Sequence, residues 1–213
     1  MKVQKDLFGN EIKKRDVYCA DSNDWLNGKK FKIIITSLPD MEEVGLSYLE
    51  WREWIIKTSK NLIDSLYNDS IIFFYQTDRK YDGQIIDKKT LISSVFLENG
   101  FNNILSKIIL KREPNKIDLF RPTYTNLFAF SKNIKSGKAT ADVIHSGKMI
   151  YKNAMGFNAV ECCINFIKSK KIEGNILDPF CGQGSVLKIS NDLGFNSIGV
   201  DILEEQCKKA KEL

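Results

Sequence analysis

Asn175-Ile-Leu-Asp-Pro-Phe-Cys-Gly-Gln-Gly-Ser-Val-Leu187 reads as a short apolar strand, a turn carrying Gly182 and Gly184, and the start of a helix. Ile198-Gly-Val-Asp-Ile202 follows it, a strand that ends in an acid. Glycines let a backbone approach a ligand closely, and an acid at the end of the second strand accepts hydrogen bonds from ribose hydroxyls. The pattern therefore points to the first βαβ unit of a nucleoside-binding sheet. A plainer reading uses the same residues: a tight strand-to-helix turn, with Asp201 capping the next helix. Leu187 stands where a dinucleotide fingerprint needs its third glycine, which argues against a nicotinamide cofactor.

Two strands do not make a domain, so the rest of the sheet must come from upstream. Candidate strands are Asp16–Ala20, Phe31–Thr36, Ser70–Gln76, Ile104–Leu110 and Asn126–Phe130, the last two as an antiparallel pair. With Gly174–Asp178 and Ser197–Asp201 they make seven. Phe31–Thr36 is apolar on both faces, as a central parallel strand should be. Helical spacing predicts helices over Ser47–Tyr67, Lys88–Glu98, Gly156–Lys168, Ser185–Asn191 and Glu204–Lys211. Asn99-Gly100 is a stop signal for the second of these. The alternation predicts an α/β fold, a mostly parallel sheet with helices on both faces.

The chain has 213 residues, 43% of them hydrophobic and 28% charged, which is enough apolar material for one packed domain. Its net charge of +5 permits an anionic partner without demanding one. A single histidine, His145, excludes a His-rich metal site, and no metal is expected. Five cysteines without a CxxC spacing read as reduced thiols of an intracellular protein. The first sixteen residues contain no apolar core of a signal peptide, and no apolar run is long enough for a membrane span.

Asp178-Pro-Phe-Cys-Gly-Gln-Gly-Ser resembles motif I of class I S-adenosylmethionine-dependent methyltransferases, in the DPFxGxG form of those that act on nucleic acid. In that fold the cofactor strand comes first, whereas here it comes near the C-terminus. The chain therefore resembles a circularly permuted methyltransferase, a single Rossmann-like domain. Its catalytic and substrate half would span 16–131 and its cofactor half 148–213, with the chain ends close together. The resemblance implies that Asp178, Phe180, Cys181, Gly182, Gly184, Asp201 and Ile202 hold the cofactor. Asp21 and Ser22, after the strand beside the adenine, would join them. Tyr151 and Asn153 would border the methionine end.

Such enzymes carry Asp/Asn/Ser-Pro-Pro-aromatic after the fourth strand. The corresponding residues here are Ser37-Leu38-Pro39-Asp40. Ser37 and Pro39 match, Leu38 replaces a proline, and Asp40 replaces the aromatic. The resemblance makes Ser37, Pro39 and Asp40 the catalytic candidates, with Asp40 orienting the acceptor or taking its proton. Pro39-Asp40 also reads as a turn that caps the following helix. Ligands sit at the C-terminal ends of parallel strands, so Asp78, Arg79, Arg121, Tyr124 and Lys152 are candidate substrate residues. Between Asn102 and Lys138 there are eight basic and two acidic residues, interleaved with Phe120, Tyr124 and Phe128. That combination suits phosphates and stacked bases, and solvated lysines over core aromatics are the alternative. The segment Ser131–Ile150 is short for a target-recognition domain. The expected substrate is thus nucleic acid, RNA ahead of DNA, with a partner subunit or homodimer possible. Methylation of a small molecule or a protein, and a non-catalytic subunit, are the alternatives.

Overall fold

A computed structural model describes residues 13–119 and 121–213. Phe120 and the N-terminal segment searched for a signal peptide up to residue 12 lie outside the described residues. The main sheet contains β1 (Arg15–Cys19), β2 (Phe31–Thr36), β3 (Leu66–Gln76), β6 (Asn102–Leu110), β7 (Tyr124–Ser131), β8 (Val143–His145), β9 (Ile176–Asp178) and β10 (Ser197–Asp201). Its order is β1-β10-β9-β2-β3-β7-β6-β8. From β1 to β3 every neighbour is parallel, and β7 runs antiparallel to both β3 and β6. The two C-terminal strands therefore lie between the first two strands of the chain.

The sequence predicts seven strands, and the main sheet has eight among the described residues. The addition is β8, three residues pairing in parallel with β6 (Ile108 opposite Val143). A three-residue edge strand carries no readable alternation, which is why the sequence does not reveal it. A separate hairpin, β4 (Arg79–Tyr81) and β5 (Gln84–Ile86), turns at Asp82-Gly83, both in the left-handed region. The helix predicted to reach Tyr67 stops at Asp64, because Leu66 already pairs with Phe31 in the sheet.

The helices are α1 (Ser22–Trp25), α2 (Met41–Val44), α3 (Tyr48–Asp64), α4 (Lys88–Glu98), α5 (Phe157–Ser169), α6 (Ser185–Asp192) and α7 (Glu204–Glu212). They cover both faces. On one face Trp51, Ile55 and Leu62 of α3 and Ile92 and Phe96 of α4 pack on Ile34, Ile72, Phe74, Phe128 and Phe130. On the other Val160, Ile164 and Ile167 of α5 and Val186 and Ile189 of α6 pack on Ile33, Ile35, Ile71, Phe73 and Leu127. Side chains of a strand alternate between faces, so the parity of each residue fixes the core it joins. Arg15 donates to the Ala210 carbonyl at 3.2 Å, so the start of β1 lies against the last helix. No helix among the described residues is long and apolar enough to cross a membrane.

Candidate active site

The turn after β9 is held by its own backbone. Cys181 N–H donates to the Val200 carbonyl at 2.9 Å, and Gly184 N–H to the Cys181 carbonyl at 2.8 Å. Gly182 N–H donates to Asp201 Oδ2 at 2.9 Å, while Asp201 Oδ1 accepts from Leu203 N–H at 2.9 Å. Asp201 thus ties the glycine turn to Leu203, just before α7; it accepts from no N–H of the helix itself, so the plainer capping reading does not hold. Gly182 has φ 51°, and a Cβ built there would come no closer than 3.7 Å to the Tyr151 hydroxyl. The Tyr151 hydroxyl therefore borders this turn without crowding it. Gly184 differs: at φ 85° its Cβ would stand 2.9 Å from that of Ala210, so this glycine is required by packing against α7.

Residues from the N-terminal half meet this turn. Ser22 Oγ donates to the Pro179 carbonyl, and Thr36 Oγ1 donates to Asp178 Oδ1 at 2.9 Å. Asp178 is 4% exposed, and its other partner is Phe180 N–H at 3.2 Å. Both partners are neutral, so burial dominates and pushes the carboxyl up to about 7. A carboxyl so placed fits a cationic ligand group. The Tyr151 phenol is also pushed up by burial, with Ser185 as its hydrogen-bond partner and Asp178 and Cys181 near it.

Beside it lies the loop after β2. Ser37 is exposed, and its hydroxyl makes no hydrogen bond with a described residue. Leu38 is buried in the α3/α4 core, and Trp51 Nε1 holds the Pro39 carbonyl at 3.0 Å. Asp40 starts α2 and accepts from the buried Lys88 ammonium, with Arg121 Nη2 at 3.5 Å. Around this pair, Asp78 accepts from Lys88 N–H and from Asn126 Nδ2, both at 3.2 Å. Burial pushes the Asp78 carboxyl up, and Asp87 adds to it. Arg79 pairs with Glu42. Lys111 donates to Thr77 Oγ1 at 3.1 Å, and burial, reinforced by Arg121, pushes its ammonium down to about 8.

Most of the sequence-predicted residues converge here: Asp178, Phe180, Gly182, Tyr151 and Asp201 at the turn, and Ser37, Pro39, Asp40, Asp78, Arg79 and Arg121 at the loop. Asp21 is exposed, with one oxygen accepting from Asn23 N–H at 2.8 Å, and Ile202 is 62% exposed next to Asp201. Several roles need correction. The Ser22 hydroxyl is spent on Pro179. The Cys181 thiol is buried and packs where a Gly199 side chain would stand (2.8 Å from its Sγ), so only its backbone is left for a ligand. Asp40 is bound by two cations and is no free base. Asn153 has φ 68°, which explains an Asn at that turn; its side chain and that of Lys152 are exposed and point to no described partner in the site. Tyr124 is 37% exposed at the end of β7.

Three of the eight basic residues of the basic stretch are paired with acids. Lys107 pairs with Asp142, Arg112 with Asp118 and Arg121 with Asp40, while Phe128 is core. Sequence reasoning passed over Thr36, Trp51, Lys88 and Asn126. Lys88 is 3% exposed, and nothing local in the mixed sequence of α4 marks it out.

Residues 144–212 match the N6_N4_Mtase family, described as DNA methylase. No curated protein matches the chain. Solved structures share the fold over nearly its whole length. A protein of Thermus thermophilus named as a DNA modification methylase, TTHA0409, aligns with a TM-score of 0.72 at 15% identity, covering 94% of each chain. It has also been solved with S-adenosyl-L-methionine, aligning there with a TM-score of 0.71. The fold is that of a methyltransferase. M1.HpyAVI, also known as a complex with S-adenosylmethionine, aligns at 19% identity in that complex with a TM-score of 0.62, covering 93% of this chain and 98% of its own. PvuII DNA methyltransferase, cytosine-N4-specific, aligns at 12% identity and 0.71, covering 93% and 85%. Two of these, TTHA0409 and the PvuII enzyme, are linked to DNA by name. The methyltransferase fold here therefore gives the expectation of RNA ahead of DNA no support.

Proposed function

We propose that this chain is a methyltransferase that uses S-adenosylmethionine to methylate an exocyclic amine of a base in DNA. The observation that carries the reading is Thr36 Oγ1 on Asp178 Oδ1, which joins the glycine turn to the acceptor loop. In this reading 148–213 is the cofactor half and 16–131 the acceptor half. The strand order is the one that a circular permutation of the methyltransferase sheet would give.

S-adenosylmethionine, when bound, supplies an electrophilic methyl group on a sulfonium. Asp178, short of a cation in the fold, holds the ammonium of its methionine part, and Tyr151 closes over that end. Asp201, with Asp21 across β1 and β10, takes the ribose hydroxyls on its remaining lone pairs. Ile202 and Phe180 give the adenine an apolar surface. Ser37 accepts a hydrogen bond from the target amine and turns its lone pair toward the methyl carbon. With the cofactor bound, this alignment would set the amine nitrogen in line to displace the sulfonium sulfur from the methyl carbon, the amine proton leaving to solvent. Alignment supplies most of the rate.

Asp40 decides between acceptors. A ring nitrogen or ribose hydroxyl benefits from a free base, and an exocyclic amine needs only hydrogen-bond acceptors. Asp40 is engaged by Lys88 and Arg121. It therefore positions the loop, and the amine is the acceptor that suits it. Arg79, Arg121, Tyr124 and Lys152 are the proposed contacts to the nucleic acid around the base.

The test is incubation with radiolabelled S-adenosylmethionine and unmethylated genomic DNA, with total RNA and total protein in parallel. Nuclease digestion and mass spectrometry then identify the modified nucleoside. Methylated deoxyadenosine or deoxycytidine is expected. Label in RNA or protein alone sinks the DNA reading.

A further inference from the structure

Gln76 ends β3 and is fully buried, yet neither Oε1 nor Nε2 has a hydrogen-bond partner. Among the described residues no other buried amide is unpaired at both atoms. Unpaired buried hydroxyls such as Ser190 and Thr58 are one small group each, whereas a carboxamide leaves donors and an acceptor without partners. Such groups cost stability unless something satisfies them.

Its place in the sheet is specific. Ile72 and Phe74 join the α3/α4 core while Ile71, Phe73 and Tyr75 join the opposite one, so Gln76 faces α3 and α4. Thr36 and Asn126 share that face by the same alternation. Thr36 pairs in register with Phe74, and Asn126 with Gln76. Gln76 thus lies one side-chain step beyond Thr36, on the face where Leu38 is buried and where Lys88 meets Asp40. Asn126 donates to Asp78 and stands opposite Gln76 in the register of β3 and β7.

We propose that the Gln76 carboxamide, with Asn126 opposite it, is the group that reads the target base, a proposal that rests on the methyltransferase reading above. Oε1 accepts from the exocyclic amine, and Nε2 donates to the adjoining ring nitrogen. Adenine and cytosine both present this amine-and-ring-nitrogen edge. The base satisfies the amide, so the stability withheld from the free protein is regained only in the complex. Entry parts the Arg121–Asp40 pair, whose guanidinium is 43% exposed.

Gln76→Leu keeps the volume and removes the orphan groups. It is expected to raise the Tm of the free protein by about 2–4 °C. It should leave S-adenosylmethionine affinity by calorimetry unchanged, and lower kcat/KM for DNA by about ten- to a hundredfold. Gln76→Glu, which keeps an acceptor, should recover part of the rate. A second arm is independent of turnover: millimolar dAMP and dCMP raise the Tm of the wild type more than TMP does, and Gln76→Leu abolishes the difference. A lower Tm for Gln76→Leu identifies the amide as part of a hydrated structural network and overturns the proposal. So does unchanged kcat/KM, or equal protection by all three nucleotides. Wild-type protein that transfers no label to DNA refutes the DNA reading instead, and the nucleotide arm still judges Gln76.

Discussion

The two halves of the candidate site are built in different ways. The turn around Gly182 is held by backbone groups: Cys181 N–H on Val200, Gly184 N–H on Cys181, Gly182 N–H on Asp201. The loop around Asp40 is held by side-chain charges: Lys88 and Arg121 on Asp40, Arg79 on Glu42. Backbone bonds impose a conformation and therefore demand particular residues, here glycines and a proline. Ion pairs impose only complementary charge, so the partners can be exchanged together. That difference is why the turn can be recognised from its residues while the Ser37-Leu-Pro-Asp40 loop can be recognised only in part.

The comparison can be broken by removing half of a pair. Lys88→Ala leaves Asp40 buried against a single half-exposed Arg121, and is expected to cost about 3–5 kcal/mol in denaturant unfolding. The double change Lys88→Met with Asp40→Leu should restore most of that stability, since no uncompensated charge is left. Equal loss in the double variant would mean that the charges hold more than each other.

Asp178 gives the next effect, through pH. Its carboxyl stands at about 7 in the fold against 3.8 in an unfolded chain, so the fold favours the neutral form. That contribution is fully present below pH 3.8 and is lost as pH rises through about 7. Asp178→Asn should flatten the fall in Tm over this range, and S-adenosylmethionine binding should release a proton near pH 7 in buffers of different ionisation enthalpy. A variant with the wild-type pH profile would show that Asp178 does not sense burial as described.

Gly184→Ala places a Cβ 2.9 Å from that of Ala210 at φ 85°, with an expected cost of about 1–3 kcal/mol. Gly182→Ala meets only the Tyr151 hydroxyl at an ordinary 3.7 Å and carries the left-handed backbone cost of about 1–2 kcal/mol, so thermal unfolding should separate the two glycines. The smallest effect on folding is expected for Asp201→Ala. Its signature is a Kd for S-adenosylmethionine weakened by roughly tenfold, read by calorimetry. Unchanged affinity would reduce Asp201 to a brace between Gly182 and Leu203.

Much of the fold was legible because period and composition act locally. The sequence places Lys88–Glu98 and Ser197–Asp201 with their observed bounds and predicts the antiparallel pairing of β6 with β7. Val143–His145 was missed because three residues at a sheet edge carry no period. At the site, the glycine turn was readable since positive φ and close approach require specific residues. Lys88, Thr36 and Asn126 were not, because each matters through a partner distant in the chain: Asp40, Asp178 and Asp78.

By itself the sequence determined the α/β class, the glycine turn with its two flanking acids, and the places where strands end, since each depends on neighbours in the chain. Only the tertiary structure decided that Asp40 is bound by Lys88 and Arg121, that Ser22 and Cys181 serve packing, and that Gln76 is buried without a partner. Those are properties of burial and of charge meeting charge across the sheet, and no local pattern of residues encodes them.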